Sequence, residues 1–374
     1  MRHAYQSLFA ATLLALAGTA SAGEIDVMTQ NQYIGADITP LIAAVASGDP
    51  AVFNAALVNA LHIVAENQTA DRVQKLATQI STRRPHLVGL QEVWNLECTP
   101  KIVVTDNPCS NPYIAAAFGD HITLTEAALG TSYVREAVVQ NFAAKVMFTL
   151  DGTNYAEVTV IDRDAIFARS DVAEATTHYP LCTVPSLSGQ GCNYADFLYL
   201  GQYFPPVTRG FVAVESTLNG KHYLFVNTHL EVEGIFNYGD PVPIQSSQAD
   251  ELIEVLEDQE SFDELILVGD MNSDPNDPAL GYSTPYTLFT AAGHNDVWLA
   301  RPGRVAGLSC CQDETLSNRV SVLGRRIDLI FTRELPRKVM DARVIGEVAA
   351  DRLAPPGRGL WPSDHASVAA RIQY

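Results

Sequence analysis

The strongest constraint on how this 374-residue chain can fold is a series of short apolar runs that continues to its last residues. His86-Leu87-Val88-Gly89-Leu90 and Leu265-Ile266-Leu267-Val268 are too short for helices and read as buried strands. Comparable strand candidates lie at 25–29, 158–162, 165–168, 211–215, 223–227, 327–331 and 366–372. Between the first of these and Leu87, Val73, Leu76, Ala77 and Ile80 fall at i, i+3, i+4 and i+7, which predicts a helix ended by Pro85. Strand, helix, strand is the alternation of α/β layers. A second helix is expected over 251–257, and an Ala-rich stretch at 38–62 also has helical spacing. Residues 95–135 read as a long loop region. No repeat or clean linker interrupts the pattern, so one large α/β domain is expected rather than two.

The N-terminus speaks to compartment. Arg2 and His3 precede an apolar run at 8–17, and Ala20-Ser21-Ala22 offers small residues for cleavage. This predicts a secretory signal peptide over 1–22, whose apolar core is too short to span a bilayer, and a mature domain over 23–374. No other stretch is long and apolar enough for a membrane span. Six cysteines in an exported chain predict disulfides, among 15 possible pairings. Cys98 with Cys109 and Cys182 with Cys192 are each close enough to staple a loop. Cys310 and Cys311 are adjacent and awkward to join, so their partners are expected elsewhere. A thiolate metal site would want a Cys-x-x-Cys, which the chain lacks.

Net charge is −19, and loss of Arg2 with the leader takes it to −20. A field of that sign repels polyanions and disfavours non-specific nucleic-acid binding. The arginines at 325–326 and the basic residues at 333–338 are either a local basic groove or ordinary solvated surface.

Polar residues gather where the predicted strands end. Asn31 closes the first, and Glu92 follows Leu90. His229 follows the strand at 223–227, and Asp270 and Asn272 follow Val268. Asp364 and His365 immediately precede the last strand. Layered α/β folds place ligands at strand ends. Singly, the carboxylates read as exposed strand ends, Asp270 and Asn272 as turn formers, and His229 as a structural histidine. Asp328 differs: between Ile327 and Leu329-Ile330-Phe331 it would be buried and needs a partner, for which a cationic histidine serves.

Six motifs carry a resemblance: Thr29-Gln30-Asn31, Gln91-Glu92-Val93, Asn227-Thr228-His229-Leu230, Gly269-Asp270-Met271-Asn272-Ser273, Arg326-Ile327-Asp328-Leu329-Ile330 and Ser363-Asp364-His365. In this order the chain resembles the endonuclease/exonuclease/phosphatase superfamily, from about residue 25 to the C-terminus. That superfamily includes pancreatic deoxyribonuclease, apurinic endonucleases, neutral sphingomyelinases and inositol polyphosphate phosphatases. Asp164-Ala165-Ile166-Phe167-Ala168-Arg169 and Arg209-Gly210-Phe211 are similar to its central strands. The resemblance implies a four-layer α/β sandwich, with two packed, mostly antiparallel sheets flanked by helices. The Ala-rich helices between Asn31 and Glu92 depart from it as an insertion at about 38–70. They form either a flap near the site or extra core on the sandwich's flank; their few polar groups favour extra core.

The residue types suit phosphoester hydrolysis. A Mg²⁺ site needs only one or two carboxylates, because water and substrate oxygens complete its shell. Glu92 is the best ligand, and the resemblance adds Asn31 and Asp364, with Mn²⁺ or Ca²⁺ as alternative ions. It also implies that Asp270 orients and deprotonates the attacking water, that Asn272 positions that water or the phosphate, and that His229 and His365 act on phosphate oxygens or protons. Asp328 then pairs with His365 and favours its charged form.

Other chemistries fail on inspection. Asp270-Met271-Asn272-Ser273-Asp274 opens like a calcium loop, but Pro275 and Gly281 stand where Gly and Glu are required. There is no Gly-x-Ser-x-Gly, no P-loop and no His-Glu-x-x-His. Phosphoinositide phosphatases of the superfamily commonly lack a histidine where His229 stands, which favours a phosphodiesterase. A nuclease and a sphingomyelinase-like phospholipid hydrolase rank behind, and an inactive secreted binding module is the alternative of another class. The Phe204 to Val207 segment and Leu360-Trp361 serve either membrane docking or core packing. A monomer is expected.

Overall fold

The computed structural model describes residues 23–374 apart from 173, 181, 202–203, 260, 278–279, 304 and 355–358. The expected signal peptide therefore lies outside the described residues. The chain begins in a first sheet with β1 (Glu24–Asn31), β2 (Leu87–Gln91), β3 (Asn95–Ile102), β4 (Gly119–Asp120), β5 (Tyr133–Thr149) and β6 (Tyr155–Arg169). It then builds a second sheet from β7 (Thr176–His178), β8 (Val184–Pro185), β9 (Cys192–Asn193), β10 (Gly210–Leu218), β11 (Lys221–His229), β12 (Glu264–Asp270), β13 (Asn295–Asp296) and β14 (Asp328–Thr332). β15 (Lys338–Ile345) and β16 (Ser367–Gln373) return to the first sheet. Both sheets hold 8 strands and are mixed: β1 with β2 and β11 with β12 run parallel, and the other pairings are antiparallel.

Alternation along each strand explains the layering. Ile25, Val27, Leu87, Val139 and Ile166 face Val212, Phe225, Ile266 and Val268 in the core between the sheets. The opposite face of the first sheet, Met28, Val88 and Leu90, packs on Ala77 and Ile80 of α3 (Thr69–Arg83) and Ile122 of α4 (His121–Leu129). The opposite face of the second sheet, Leu224, Val226, Leu265 and Leu267, packs on Ala249, Leu252 and Leu256 of α5 (Ile244–Glu257). The fold is thus a four-layer sandwich of two sheets between helices.

The Ala-rich stretch forms α1 (Thr39–Ser47) and α2 (Pro50–Glu66); Asp49 caps α2 by accepting from the Ala51 and Val52 amides. Leu57, Leu61 and Val64 of α2 join Trp94, Phe148, Val158 and Trp361 in a flanking core.

Three expectations are corrected. Residues 95–135 are not a loop, because they contain β3 and α4. β3 lacks an apolar run and is ordered by laddering onto β6, while Asp120 caps α4 by accepting from Ile122 N at 2.9 Å. The strands expected at 158–162 and 165–168 are one strand, β6, which carries the buried acids Asp162 and Asp164 through its middle. Cys310 and Cys311 are paired with each other, not bridged elsewhere, and the peptide joining them is cis. Cys98–Cys109 and Cys182–Cys192 are bonded as expected. Among the described residues no helix is long and apolar enough to cross a membrane.

Candidate functional site

Strand polarity and register bring the predicted residues to one end of the sandwich. In the first sheet Asn31 lies opposite Gln91, next to Glu92, and Asp364-His365 lead into β16, which runs antiparallel to β1. In the second, His229 lies opposite Asp270, and Asp270 opposite Asp328. The two sheets approach closely here because β2 has glycine at 89. A Cβ there would lie 2.5 Å from Asn227 Oδ1 and 2.7 Å from Val268. The absent side chain lets Asn227 cross between the sheets and donate to Leu90 O and Ala165 O at 2.9 and 3.2 Å.

Asn31 then links the sheets at the site itself. Its Nδ2 donates to Glu92 Oε1 and to Asp270 Oδ2, both at 3.1 Å, and its Oδ1 accepts from Tyr33 N at 2.9 Å. Glu92 has a left-handed backbone (φ 54°), an arrangement a non-glycine residue adopts at a cost of about 1–2 kcal/mol. Its surroundings hold it there: Oε2 accepts from Ile34 N and Trp94 Nε1, and its own amide donates to the buried Asp164 carboxylate. Asp364 stands near Glu92 and Tyr33; burial pushes its carboxyl up to about 6, with Glu92 adding to the shift and His365 opposing it.

On the other side, Asp270 Oδ2 is 3.6 Å from His229 Nε2 and 3.7 Å from His365 Nε2. Its Oδ1 accepts from the amide of Asn272, which is also left-handed (φ 48°). Burial raises the Asp270 carboxyl to about 7, Asp328 adds to the shift, and His365 counteracts it. His365 Nδ1 donates to Asp328 Oδ2 at 2.8 Å, and Asp328 N donates to Ser309 Oγ at 3.1 Å. Burial opposes the imidazolium of His365, but Asp328, Asp364 and Asp270 outweigh it and hold that ring's pKa well above the ordinary value. His229 is driven the other way, by burial, Arg209 and His365.

All eight predicted residues are therefore in one connected cluster. Its oxygen donors fit a hard divalent cation. Two carboxylates, Glu92 and Asp364, are close enough for Glu92 to raise the Asp364 carboxyl, and Asn31 Oδ1 accepts from Tyr33 N where an amide oxygen can accept twice. Ligand atoms of Asp270, Asp328 and His365 also lie within 4.8 Å of one another, although Asp328 Oδ2 is already committed to His365. Cys310 and Cys311 approach His365 too, but as a disulfide they offer no thiolate.

Four residues support the cluster with no site role assigned from sequence, Asp164 and Arg209 standing only within the two central-strand motifs. Arg72, fully buried in α3, donates to Asn67 O, Gln32 O, Tyr33 O and Pro362 O, and so ties the segment after Asn31 to the segment before Asp364. Arg209 reaches His229 Nδ1 at 3.2 Å and lies 3.5 Å from both Asp162 and Glu231, and Asp164 adds to the negative field around it. The available signal was charge inside an apolar pattern: Arg72 precedes Val73 on the buried helix face, and Asp162 and Asp164 stand in phase with the apolar Val158, Val160, Ile166 and Ala168 along β6.

The basic segments do not form a groove at the site. Arg325 bridges Glu233 and Asp277 at 2.7 Å each, and Arg326 is buried against Asp296. Arg333 follows the far end of β14, and Lys338 pairs with Gln373 at the far end of β16. Leu360 and Trp361 are buried in the flanking core, so they are not docking residues, and Phe204 stacks on Phe142.

A search of curated proteins finds none similar to this chain. The family model for the Endonuclease/Exonuclease/phosphatase family matches residues 157–365, more than half of the chain. Among solved structures, a family protein from Bacteroides thetaiotaomicron is similar at 17% identity, over 94% of this chain and 98% of that one, with a TM-score of 0.53. An endonuclease/exonuclease/phosphatase from Beutenbergia cavernae DSM 12333 is similar at 17% identity, over 94% and 72% of the two chains, with a TM-score of 0.51. At that identity the likeness concerns the fold alone. With its family model matched and its fold shared, this chain belongs to the endonuclease/exonuclease/phosphatase family, whose members hydrolyse phosphoesters.

Proposed function

We propose that this chain is an exported, divalent-cation-dependent phosphodiesterase that cleaves its substrate by direct in-line attack of water. The observation that carries the proposal is the Asn31 bridge, which brings Glu92 and Asp270 within 3.1 Å of one amide nitrogen from opposite sheets. A carboxylate suited to a cation and a carboxylate suited to a water thereby stand side by side.

Glu92, Asp364 and the Asn31 side-chain oxygen would hold the cation; Mg²⁺ suits two carboxylates best, with Mn²⁺ or Ca²⁺ as substitutes. When bound, it supplies charge stabilisation at the phosphoryl oxygens. Asp270 orients the attacking water and takes its proton. Asn272 fixes that carboxylate through the 3.0 Å hydrogen bond from its backbone amide. His365, held as an imidazolium by Asp328, donates to a phosphoryl oxygen or the leaving oxygen, and His229 donates to another phosphoryl oxygen.

A diester of low charge fits the molecule better than a nucleic acid. The net charge is −19, and Arg325 and Arg326, the basic pair beside Asp328, are both ion-paired. Turnover on bis-p-nitrophenyl phosphate, sphingomyelin and plasmid DNA, in Mg²⁺ and then in EDTA, tests the proposal. Cleavage of a diester that EDTA abolishes is expected. Activity indifferent to EDTA contradicts the mechanism, and silence on the whole panel favours a binding module. Export is tested by sequencing the mature N-terminus, and an intact Met1 refutes it.

A further inference from the structure

The two histidines flanking Asp270 have opposite partners. Both turn Nε2 toward Asp270 Oδ2, at 3.6 and 3.7 Å, so their Nδ1 atoms decide what each can do. His365 Nδ1 meets a carboxylate, Asp328. His229 Nδ1 meets Arg209 Nη1 at 3.2 Å. A guanidinium has donors only, so His229 Nδ1 must accept and cannot carry a proton. The other end of the ring faces the Asp270 carboxylate at 3.6 Å and the Asn272 Nδ2 amide at 3.3 Å; that amide gives one of its two hydrogens to Leu230 O at 2.9 Å and, like Arg209, accepts none, so Asp270 is the acceptor that the ring faces. The proton of the neutral ring thus has an acceptor only at Nε2.

Arg209 is itself held in place. It immediately precedes β10, whose first residue, Gly210, is paired with His229. Its two terminal nitrogens lie 3.5 Å from Asp162 Oδ2 and 3.5 Å from Glu231 Oε1, and both acids are buried. Asp162 is further contacted by Asn141, which donates to Asp164 at 2.8 Å. The groups facing His229 are therefore Arg209, with Asp162 and Glu231 behind it, Asp270 and Asn272 from the end of β12, and His365 from the segment before β16.

We infer that Arg209 is a positioning residue that locks His229 as the neutral Nε2–H tautomer, so that His229 donates a hydrogen bond to a phosphoryl oxygen but does not shuttle protons. Its role at the phosphate rests on the phosphodiesterase proposed above; its tautomer does not. Proton transfer to the leaving oxygen is left to His365. Removing the guanidinium frees Nδ1 to take a proton, and the ring's pKa then rises toward the ordinary histidine range, with burial and His365 still opposing the charge.

Long-range ¹H–¹⁵N correlation spectra of the full chain, with His229 assigned through the signal lost in His229→Gln, read the tautomer directly. The wild type should show Nε2 protonated and Nδ1 bare from about pH 5.5 to 7.5. Arg209→Met should convert His229 to a titrating ring, lower kcat by about ten- to a hundredfold with KM little changed, and add an ionisation to the pH–rate profile. Arg209→Lys, which also offers donors only, should restore most of both the tautomer and the rate. A wild-type His229 carrying its proton on Nδ1, or doubly protonated at pH 7, overturns the inference, as does an unchanged tautomer in a folded Arg209→Met. If that variant does not fold, the wild-type spectrum decides alone. If the enzyme hydrolyses no phosphoester, the spectrum still tests Arg209, so the two proposals fail separately.

Discussion

Asp328 illustrates how one buried residue can be both a cost and a requirement. Its carboxylate lies under the site, with Oδ2 given to His365 and its amide resting on Ser309. An isolated charge there would be strongly unfavourable; paired with an imidazole, it fixes that ring's orientation and favours its charged form. Asp328→Asn keeps the shape but presents an amide to Nδ1, which permits the wrong tautomer. The expected outcome is a fall in kcat of about a thousandfold with KM nearly unchanged, measured on bis-p-nitrophenyl phosphate. Equal losses in binding and turnover would instead mark a collapsed site. Asp328 was also the residue most legible from sequence, because an acid enclosed by Ile327, Leu329, Ile330 and Phe331 has few explanations. His229 was legible only through its motif. What it pairs with was not, since Arg209 is 20 residues away and is brought to it by the β10–β11 register.

At the scale of elements, the site depends on how strand ends are tied together. Short apolar strands with polar ends were readable, because a fully buried strand needs an apolar run and its end does not. β3 and β5 were not readable: their order comes from pairing along β6, and their own sequences mix polar and apolar residues. The vicinal Cys310–Cys311 pairing was likewise hidden, since six cysteines in a linear sequence say nothing about local backbone geometry. Arg72 shows a tie between elements that spacing does not announce. It donates from α3 to carbonyls next to both Asn31 and Asp364, with no carboxylate within ion-pair reach among the described residues. Lysine cannot span four carbonyls. Arg72→Lys should therefore destabilise the fold by about 2–4 kcal/mol, read from urea midpoints, and raise the Mg²⁺ concentration needed for half-maximal activity. Unchanged stability and metal dependence would remove Arg72 from the account.

For the whole molecule, the site concentrates buried acids. Burial is the leading cause for each of the raised carboxyls there, Asp164 included, which stands well above its ordinary value. Asp162 and Asp270 are pushed up to about 7, and Asp364 to about 6. In the unfolded chain these groups release their protons near the ordinary value of about 3.9. Between that value and their folded values the native state holds more protons than the unfolded state, so stability falls as pH rises through this window. In EDTA the melting temperature should be higher at pH 5 than at pH 8. Adding Mg²⁺ at pH 8 should recover part of the difference, because the cation binds Asp364 in place of its proton. A higher melting temperature at pH 8 in EDTA would show that these acids are not held as described.

The central claim is that Asp270, beside the Glu92 and Asp364 pair, carries water activation at a cation-dependent site. The most direct measurement is the rate of bis-p-nitrophenyl phosphate hydrolysis by the wild type and by Asp270→Asn, each in excess Mg²⁺ and in EDTA. The account predicts turnover by the wild type in Mg²⁺, its loss in EDTA, and an Asp270→Asn rate in Mg²⁺ lower than the wild type's by about a thousandfold or more. Wild-type rates maintained in EDTA, or an Asp270→Asn variant that retains activity within about tenfold, would contradict it.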